Sequence, residues 1–561
     1  MISRRSFLTQ TTAAGVIAKS RGFVANSNRK SEQSTFIDLL RIPDGITVFS
    51  GLGNAIPMRR SGRKFSAKDV VIAFDIRETE VPISVSAPGT ALTHAHLRWS
   101  SRVSSTLLSL GDQWERSYGD LGWRGMTPER IMPWYFATYD GSVLHAYGVK
   151  TAAATLCFWQ IDPEGVSLWL DLSNGGGGVQ LGGRELAAAT ILTRRGITDE
   201  RPIDALRAFC KQMSPSPRLP DSPVYGGNDW YSAYGNNSQD MLLRIADLIA
   251  DVSQFQTVRP YTVVDMGWKE NSAAFPSMSA YAEQVGKRGI RPGIWIRPLE
   301  ATPDTNAALL LPASRYGNRS ERFHEIAFDP TIPEALVAVK QKLTQLADWK
   351  FELVKHDYST YDLFGQWGFE MGAQPTIPGW HFHDRSRTNA EIVADFYKVI
   401  REALGDTITI LGCNTIGHLA AGIFELQRIG DDTSGRIWER TRRMGVNTLA
   451  YRLPQHRTFF QVDPDCVGIT QAVPWELNRQ WLDLVARTGT TLFVSPAHDG
   501  SMGPEQRAAL RDAFAQVTSP GALCQPSDFF RETTPETWNL GNGKTKRYKW
   551  CEDDGAFPFV V

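Results

Sequence analysis

The chain has 561 residues, which is too long for one compact core and predicts two or three domains. Its 60 basic and 60 acidic residues give a formal net charge of zero. Because the chain also lacks basic runs, this balance argues against nucleic acid as a partner. The 17 tryptophans suit a protein that binds ligands with flat apolar faces, such as sugars, although many of them will lie in the core.

The first residues carry the pattern of a twin-arginine export signal. Ser3 to Leu8 reads SRRSFL, and a short, weakly apolar segment that ends in small residues follows it. We therefore expect residues 1–33 to be a signal peptide and a flexible segment, recognised by the twin-arginine translocase, and the mature protein to be periplasmic or secreted. The alternative is a basic, disordered N-terminus. No other apolar segment approaches the roughly 20 residues that cross a bilayer, so we expect no membrane contact after processing.

The spacing of potential metal ligands predicts no metal site. The six cysteines are scattered without CxxC spacing, which argues against a zinc cluster and against a disulfide framework. His381 and His383 lie two residues apart without a third ligand, so the segment WHFHDR is interpreted as an exposed substrate loop. Asp463 and Asp465 lack the glycine and the terminal glutamate of a calcium loop. We expect neither metal nor cofactor.

Residues 34–203 alternate between apolar and polar positions in short runs. The runs GITVFSGL, DVVIAFDI, ISVSAPG, SVLHAYGV, ATLCFWQI and VSLWLDL are separated by Gly, Pro, Asp and Asn. This period-two pattern predicts an antiparallel β-sandwich. Gly175 to Gly178 is interpreted as a turn, because no helix follows it with phosphate-loop spacing. Residues 204–222, with a helix over Asp204 to Met213 and a proline-rich stretch, form the predicted linker.

The sequence pattern changes after residue 222, and residues 223–518 predict a (β/α)₈ TIM barrel. Eight strand-like runs, most of them followed by a helical stretch, read VYGGNDW, TVVDMGW, IRPGIWIRP, FELVKHDYS, ITILGCN, ELQRIGD, VNTLAYRL and TTLFVSP. Residues 519–561 predict a short C-terminal β region that contains the runs KRYKW and FPFVV. The expected fold class is therefore multidomain β plus α/β.

The strand ends supply the candidate binding residues. In a barrel the C-terminal ends of the strands converge on one mouth, where carboxylates, amides and indoles suit a sugar. The substrate-binding candidates from these ends are Asp229, Trp230, Asp265, Trp268, Trp295, Arg297, Cys413 and Asn414.

The stretch Phe351 to Tyr361, FELVKHDYSTY, contains the candidate nucleophile. Its apolar run predicts a buried parallel strand that ends in Lys355, His356 and Asp357. A lysine two residues before the aspartate lies on the same side of the strand, and its charge favours the ionised carboxylate that attacks a sugar carbon. Lys355 and His356 are further candidates for substrate binding. The alternative for Asp357 is a strand-end salt bridge.

The VKxD pattern of this strand resembles the nucleophile strand of the α-galactosidase and raffinose-synthase clan of glycoside hydrolases. VDMGW resembles the DDGW turn of that clan and LGCN its CxGG strand, in the same order along the chain. The resemblance implies that Asp357 is the nucleophile and that Asp431, in RIGDDTSGR, is the acid/base residue, with Asp432 next to it. Arg428 would then orient the substrate or hold a carboxylate. The alternative for the two aspartates is a helix cap.

Three departures from the clan bear on the substrate. Met266 stands where DDGW has its second acidic residue, KHDYS replaces the KWDMN or KYDNC forms, and Arg297 stands where a glutamate is common. An arginine in the pocket would favour an acidic or differently substituted sugar.

Together the motifs predict a retaining glycoside hydrolase that removes terminal α-linked sugars by double displacement, with an oligosaccharide or glycoside as substrate. Two alternatives stay open: a transglycosylase of the raffinose-synthase type, and a non-catalytic carbohydrate-binding protein on the same fold.

Overall fold

The computed structural model describes residues 35–51, 53–319, 326–519, 521, 524–541, 543–553 and 555–556. The predicted export signal in residues 1–33 and the predicted strand FPFVV lie outside the described residues. From Phe36 onward the chain forms one compact unit. The domain boundaries at 203, 222 and 518 therefore stay predictions.

The N-terminal half contains two antiparallel sheets. One has six strands in the spatial order Ala55–Pro57, Gly45–Phe49, His94–Ser100, Gly165–Asp171, Leu156–Asp162 and Met132–Pro133. The other has eight, in the order Arg59–Ser61, Lys64–Ala67, Val70–Phe74, Glu80–Ser86, Leu186–Arg194, Leu144–Val149, Tyr135–Tyr139 and Leu108–Gly111. All six predicted runs form strands. Alternating burial along Gly45–Phe49 and Glu80–Ser86 shows the period of two that predicted them.

The two antiparallel sheets share an apolar core. Phe136 of the eight-stranded sheet lies 5.6 Å, ring centre to ring centre, from Trp159 of the six-stranded sheet, and both residues are buried. Packing of two such faces is the arrangement of a β-sandwich. The predicted glycine turn is confirmed as the tip of a small hairpin, Ser173–Asn174 with Gly177–Gly178.

A parallel sheet occupies the second half of the chain. Its nine strands lie in the order Gln461–Asp463, Leu426–Arg428, Thr409–Gly412, Leu353–His356, Arg291–Ile296, Tyr261–Val264, Tyr225–Asn228, Leu492–Pro496 and Val467–Ile469. Every described pairing within it is parallel. The strand Leu353–His356 is buried along its whole length, as its continuous apolar run predicts.

Helices follow most of these strands. The α-helices are Pro202–Met213, Trp230–Ala233, Gln239–Ser253, Met278–Lys287, Pro333–Asp348, Ser359–Phe364, Asn389–Leu404, Gly417–Ala420, Trp438–Arg440, Thr448–Arg452, Trp475–Thr488 and Pro504–Thr518. The 3₁₀ turns are Ser272–Ala274, Ala307–Leu309, Ala313–Arg319, Gly368–Met371 and Leu453–Gln455, and Thr441–Asn447 is a π-helix. A three-stranded sheet, Gln525–Pro526, Thr537–Asn539 and Thr545–Arg547, follows near the C-terminus. Among the described residues, no helix is long and apolar enough to cross a membrane.

The predicted seventh strand, VNTLAYRL, is wrong: these residues lie in the π-helix and in the α-helix Thr448–Arg452. Val446 to Ala450 are buried on every side. A helix without a polar face lacks the periodicity that separates it from a strand. The chain that takes this place in the sheet is Gln461–Asp463 and Val467–Ile469, which none of the predicted strand-like runs covers. Pro464 lies between the two pieces, and a proline within a run weighs against a strand.

The interrupted stretch Gln461–Asp463 and Val467–Ile469 supplies both ends of the strand order. The first piece pairs with Leu426–Arg428 and the second with Leu492–Pro496. The Thr491 amide also donates to the Val462 carbonyl at 2.9 Å. Residues 461–469 therefore form both the first and the last strand of this order, and they pair with Leu426–Arg428 at one end and with Leu492–Pro496 at the other.

Candidate active site

The candidate site lies at the edge where the parallel strands end. Asp357, Asp265 and Asn414 all lie within two residues of the C-terminal end of a strand. Because the strands are parallel, these ends meet at one edge of the sheet. The structure therefore brings these three predicted residues to one edge of the sheet.

Asp357 is held by three donors. Its Oδ2 accepts a hydrogen bond from the Trp295 indole at 3.1 Å, and its Oδ1 accepts from the backbone amides of Tyr358 at 2.7 Å and Asn414 at 3.1 Å. Burial alone would raise the pKa of Asp357, but the charges of Lys355 and Arg116 outweigh it and hold the pKa below its ordinary value. The carboxylate is therefore ionised and fixed in position.

The backbone after Asp357 is strained. Tyr358 has φ 66° and ψ −4°, in the left-handed region that a tyrosine rarely adopts. This conformation lets the Tyr358 amide turn back onto the Asp357 carboxylate.

Lys355 pairs with Asp265, in contrast to the predicted pairing with Asp357. The distance from its Nζ to Asp265 Oδ2 is 2.7 Å, and Asn228 donates to the same oxygen at 2.7 Å. Burial would lower the pKa of Lys355, but Asp265 outweighs it and raises the pKa well above its ordinary value. The ammonium is therefore charged, and it acts on Asp357 through space.

Asp229 lies behind this pair. Its two oxygens accept hydrogen bonds from the Asp265 amide at 2.7 Å and from Asn237 at 2.8 Å. Burial, together with the charge of Asp265, raises the pKa of Asp229 to about 7. The side chain is completely buried, so it supports Asp265 and does not face the mouth.

Asp431 and Asp432 follow the strand Leu426–Arg428 and differ in their partners. Asp431 Oδ2 accepts from Arg440 at 3.0 Å, and its Oδ1 lies 3.4 Å from Arg116. Asp432 Oδ1 accepts from Arg428 at 2.9 Å and lies 3.8 Å from Arg116, and Oδ2 has no arginine partner among the described residues. The exposed fraction of the side chain is 22% for Asp431 and 40% for Asp432. Asp432 is thus the more accessible of the two.

Two charged residues of the site come from the N-terminal half. The loop after Leu108–Gly111 lies beside the sixth parallel strand, where Ser117 exchanges backbone hydrogen bonds of 2.8 Å with Ile429 and Asp431. It carries Glu115 and Arg116, both buried. Sequence reasoning missed them, because no local signal shows that a loop of one sheet reaches the strand ends of another.

Glu115 links this loop to the candidate nucleophile. It accepts hydrogen bonds from the Tyr118 hydroxyl at 2.5 Å, from the Gly368 amide at 2.9 Å and from the Asn414 side chain. The Asn414 amide in turn donates to Asp357. Burial raises the pKa of Glu115 to about 7.

Other predicted residues lie deeper than expected. His356 does not reach the mouth: it points to the opposite side of its strand from Lys355, hydrogen-bonds to Ser359 and contacts the rings of Phe396, Tyr397 and Phe424. Burial lowers its pKa to about 3. His356 is therefore a core residue, and its prediction as a substrate ligand is corrected.

Trp268 and Arg297 mainly support other groups. The Trp268 indole donates to the Trp295 carbonyl at 2.9 Å. The Arg297 guanidinium pairs with the buried carboxylate of Asp362 at 2.5 Å and lies 4.6 Å from the Tyr358 ring centre. An arginine engaged in this way gives little reason to expect an acidic sugar, which corrects the inference from its presence in the pocket.

The remaining predicted residues keep places at the site edge. Cys413 is buried and lies 3.8 Å from Arg428, and Asn414 is held between Glu115 and Asp357. Trp230 is half-buried beside Tyr234, with 5.6 Å between the ring centres. Tyr358 and Trp367, also half-buried, add aromatic surface that the sequence did not single out.

Two segments weighed as metal sites have structural roles. Asp465 Oδ2 accepts from the Thr433 amide at 2.8 Å and pairs with Arg428 at 2.5 Å. The segment WHFHDR is a loop in which His381 and His383 are exposed, as predicted, whereas Trp380 and Phe382 are buried. Within the described residues, no group of three or more His, Cys, Asp or Glu side chains could hold a metal ion.

Comparison with solved structures identifies the fold, and no protein-family model matches the chain. The chain is similar to the α-galactosidase of Thermus thermophilus in complex with p-nitrophenyl α-D-galactopyranoside, at 17% identity over 90% of this chain and 99% of that one, with a TM-score of 0.56. The chain is 12% identical to the α-galactosidase of Lactobacillus brevis over 88% of this chain and 76% of that one, with a TM-score of 0.54. A third similar structure is a variant of the GH36 α-galactosidase AgaA of Geobacillus stearothermophilus in complex with 1-deoxygalactonojirimycin. The identity is 10% over 86% of this chain and 72% of that one, and the TM-score is 0.53. The chain therefore has the fold of GH36 α-galactosidases, as its motifs predicted.

Proposed function

We propose that the chain is a retaining glycoside hydrolase that releases terminal α-linked sugars of the α-galactoside type. The observation that carries the proposal is Asp357: an ionised carboxylate at the end of the fourth parallel strand, held by Trp295 and by two backbone amides. Two further carboxylates, Asp431 and Asp432, follow the sixth strand near Arg116, whose charge also acts on Asp357. A fixed nucleophile and a second carboxyl group are what double displacement requires.

The proposal includes closure of the parallel sheet into a (β/α)₈ barrel. Support comes from the stretch 461–469, which pairs with Leu426–Arg428 on one side and with Leu492–Pro496 on the other. In a closed barrel the strand ends form one mouth, and the substrate enters there.

In the first step, a carboxylate oxygen of Asp357 attacks the anomeric carbon, and the glycosidic carbon–oxygen bond breaks. The acid residue donates its proton to the departing oxygen. In the second step, the same residue takes a proton from water as the water oxygen attacks the anomeric carbon. The bond to Asp357 then breaks and releases the sugar. The reaction needs no oxidant, reductant or cofactor.

For the acid/base role we prefer Asp432 to Asp431, the residue that the resemblance favours. A general acid needs one oxygen that can carry a proton towards the leaving group. Both oxygens of Asp431 face arginines, whereas Oδ2 of Asp432 has no arginine partner among the described contacts and the side chain is more exposed. Asp431 then serves to hold Arg440 and Arg116 in place.

The substrate class rests on the fold and on the polar groups at the mouth. The Thermus thermophilus neighbour is described in complex with p-nitrophenyl α-D-galactopyranoside and with stachyose, which supports a neutral α-galactoside for this chain. Asp265, charged and paired with Lys355, is suited to accept hydrogen bonds from sugar hydroxyls. Trp230 and Trp367, both half-buried, offer apolar surface for the ring.

The test is turnover of aryl α- and β-glycosides, with galactosides, arabinosides and uronides included, by wild type and Asp357→Ala. We expect release from an aryl α-galactoside, loss of release in Asp357→Ala, and rescue of that variant by azide. Binding of a sugar without release from any substrate would favour the carbohydrate-binding protein. A disaccharide product formed with an added sugar acceptor, in place of free sugar, would favour the transglycosylase.

A further inference from the structure

A cavity of about 630 Å³ lies on the six-stranded sheet, apart from the candidate active site. Its lining includes Trp169, Asp171 and His94 of the sheet and the loop 373–376, and it includes neither Asp357 nor the aspartates of the sixth strand. Its size is within the range of sites that bind small molecules.

The sheet presents an outer face to this cavity. On the strand Gly165–Asp171, Leu168 and Leu170 belong to the core, whereas Trp169 and Asp171 alternate with them and line the cavity. Asp171 lies opposite His94 on the neighbouring strand, and Trp169 lies opposite Phe158 on the other side.

The aromatic wall of the cavity is rigid. The Trp169 ring stacks with the rings of His96 at 4.3 Å and Phe158 at 5.9 Å between centres. Its indole nitrogen donates to Gln160 at 2.8 Å. A side chain held in one orientation loses little conformational entropy when a ligand binds.

The rim opposite the sheet is built from the glycine hairpin. The Gly176 amide donates to the Trp380 carbonyl at 3.0 Å, and Asn389 bonds to both the amide and the carbonyl of Gly175. A Cβ atom at Gly176 would lie 1.9 Å from the Ile377 carbonyl oxygen. Only glycine allows this close approach, so the glycine run and its contacts with Ile377 and Trp380 hold the rim in shape.

The polar groups of the lining select a neutral ligand with hydroxyl donors. Among the described residues the lining contains Glu129 and Asp171 but neither lysine nor arginine, which disfavours anions. Asp171 is buried, with Oδ1 accepting from the Ser173 amide at 2.7 Å and Oδ2 without a hydrogen-bond partner. A buried carboxylate oxygen without a donor is costly unless a ligand supplies one.

From this geometry we propose that the cavity is a second saccharide site, which binds a neutral oligosaccharide. A saccharide combines hydroxyl donors for Asp171 with apolar ring surface for the wall around Trp169. The segment 367–378 links the two sites, because Gly368 bonds to Glu115 at the catalytic mouth and Thr376 lines the cavity. The cavity and the strand-end site thus share one segment of chain, whether or not the catalytic roles are as proposed.

The test measures how many molecules of the neutral tetrasaccharide stachyose bind per chain. Calorimetric titration of the Asp357→Ala protein removes turnover from the measurement. We expect two sites, with the second weakened at least tenfold by Asp171→Asn, which keeps the shape but replaces the unpartnered acceptor with a donor. Gln374→Trp, on the exposed loop of the lining, should block the same site without touching the sheet.

Glu185→Gln is the matched control, because Glu185 is exposed and lies outside the lining. It should leave both sites unchanged. The proposal would be overturned if no stachyose site of the Asp357→Ala protein is weakened by both Asp171→Asn and Gln374→Trp. Tighter binding of phenyltrimethylammonium than of stachyose at this site would replace the saccharide with a cationic ligand. If the candidate active site does not bind stachyose, one site remains, and its loss in both Asp171→Asn and Gln374→Trp still assigns it to the cavity.

Discussion

At the scale of single residues, Asp431 and Asp432 differ in what their oxygens contact. Arginines face both oxygens of Asp431, whereas Arg428 and Arg116 approach only Oδ1 of Asp432. Burial would raise the pKa of Asp432, but these two arginines outweigh it and lower the pKa. Because this pKa lies below the ordinary value of 3.8, the protonated form that donates to the leaving group is already a minority above pH 4, and we expect turnover to fall steadily as the pH rises from 4 to 7.

We predict that Asp432→Asn lowers turnover of substrates with poor leaving groups about 100 to 10,000-fold, the usual contribution of a general acid. Activated aryl glycosides should lose less, because their leaving groups depart without a proton. Steady-state kinetics with both kinds of substrate measures this difference.

Asp431→Asn serves as the matched variant. We expect it to lower turnover on the order of 10-fold with no dependence on the leaving group, because it disturbs Arg440 and Arg116 without removing a transferable proton. A strong leaving-group dependence in Asp431→Asn, and its absence in Asp432→Asn, would return the acid/base role to Asp431.

Glu115 gives a prediction for stability against pH. Its folded pKa of about 7 lies above the ordinary value of 4.5, so the folded state holds the proton more tightly than the unfolded state. Its contribution to stability is complete below pH 4.5 and is lost as the pH rises to 7. Glu115→Gln does not titrate, so its free energy of unfolding relative to wild type should rise with pH, by at most about 1.4 kcal/mol per unit.

Denaturant unfolding at several pH values between 4.5 and 8 checks this change. Turnover of Glu115→Gln is measured as well. Gln cannot accept hydrogen bonds from Tyr118, Gly368 and Asn414 together, so the Asn414 side chain loses its partner. We expect the rate to fall on the order of 10-fold. A difference in stability that does not vary with pH would contradict the raised pKa of Glu115.

The residues predicted from the sequence are those at strand ends. Asp357 and Asp265 were predicted because an apolar run followed by polar residues marks the end of a buried strand, and Arg428 because it precedes the aspartates in the segment RIGDDTSGR. Side chains alternate along a strand, so His356 lies on the opposite side from Lys355. The prediction of both residues as substrate ligands overlooked this alternation. Glu115 and Arg116 depend on contact between segments about 300 residues apart, such as Glu115 with Asn414, which no local pattern reports.

At the scale of elements, sequence prediction succeeded where a helix or strand has one buried face. The helix predicted over Asp204 to Met213 is confirmed as Pro202–Met213, because its apolar positions repeat with the helical period. It failed at the buried helix Thr448–Arg452 and at the strand that Pro464 interrupts.

The glycine hairpin gives a prediction at this scale. Gly176→Ala would place a Cβ atom 1.9 Å from the Ile377 carbonyl oxygen, so the hairpin and the loop must separate. We expect a loss of about 2 to 4 kcal/mol in the free energy of unfolding. Gly183→Ala, in the same region but with open space around its Cβ, should change it by less than about 0.5 kcal/mol. Equal effects of the two substitutions would contradict the close contact.

At the scale of the whole molecule, the β-sandwich is part of the candidate site. Its loop 112–121 lies along the sixth parallel strand, and Asn447 bonds to both the amide and the carbonyl of Leu121. The sequence predicted the β-sandwich and the barrel as separate domains and placed all candidate site residues in the barrel. Their contact could not be predicted, because it depends on how two independently patterned regions pack.

Export is a property of the whole chain, and we propose the twin-arginine route on the pattern Ser3 to Leu8. Replacing Arg4 and Arg5 together by lysine keeps the charge but removes the paired arginines that the route requires. We expect the double variant to stay in the cytoplasm of a bacterial host, as measured by fractionation and immunoblotting. Equal amounts of wild type and variant in the periplasm would contradict this route.

The central claim is that Asp357 forms a covalent bond to the sugar, and trapping that bond tests it most directly. The enzyme is incubated with a fluorinated α-galactosyl fluoride, whose slow second step allows the glycosyl-enzyme to accumulate, and is then digested and sequenced by mass spectrometry. We predict one sugar per chain, found on the peptide that contains Asp357 and attached to the Asp357 side chain. A sugar attached to Asp431 or Asp432, or turnover of the reagent without any attached sugar, would contradict the account.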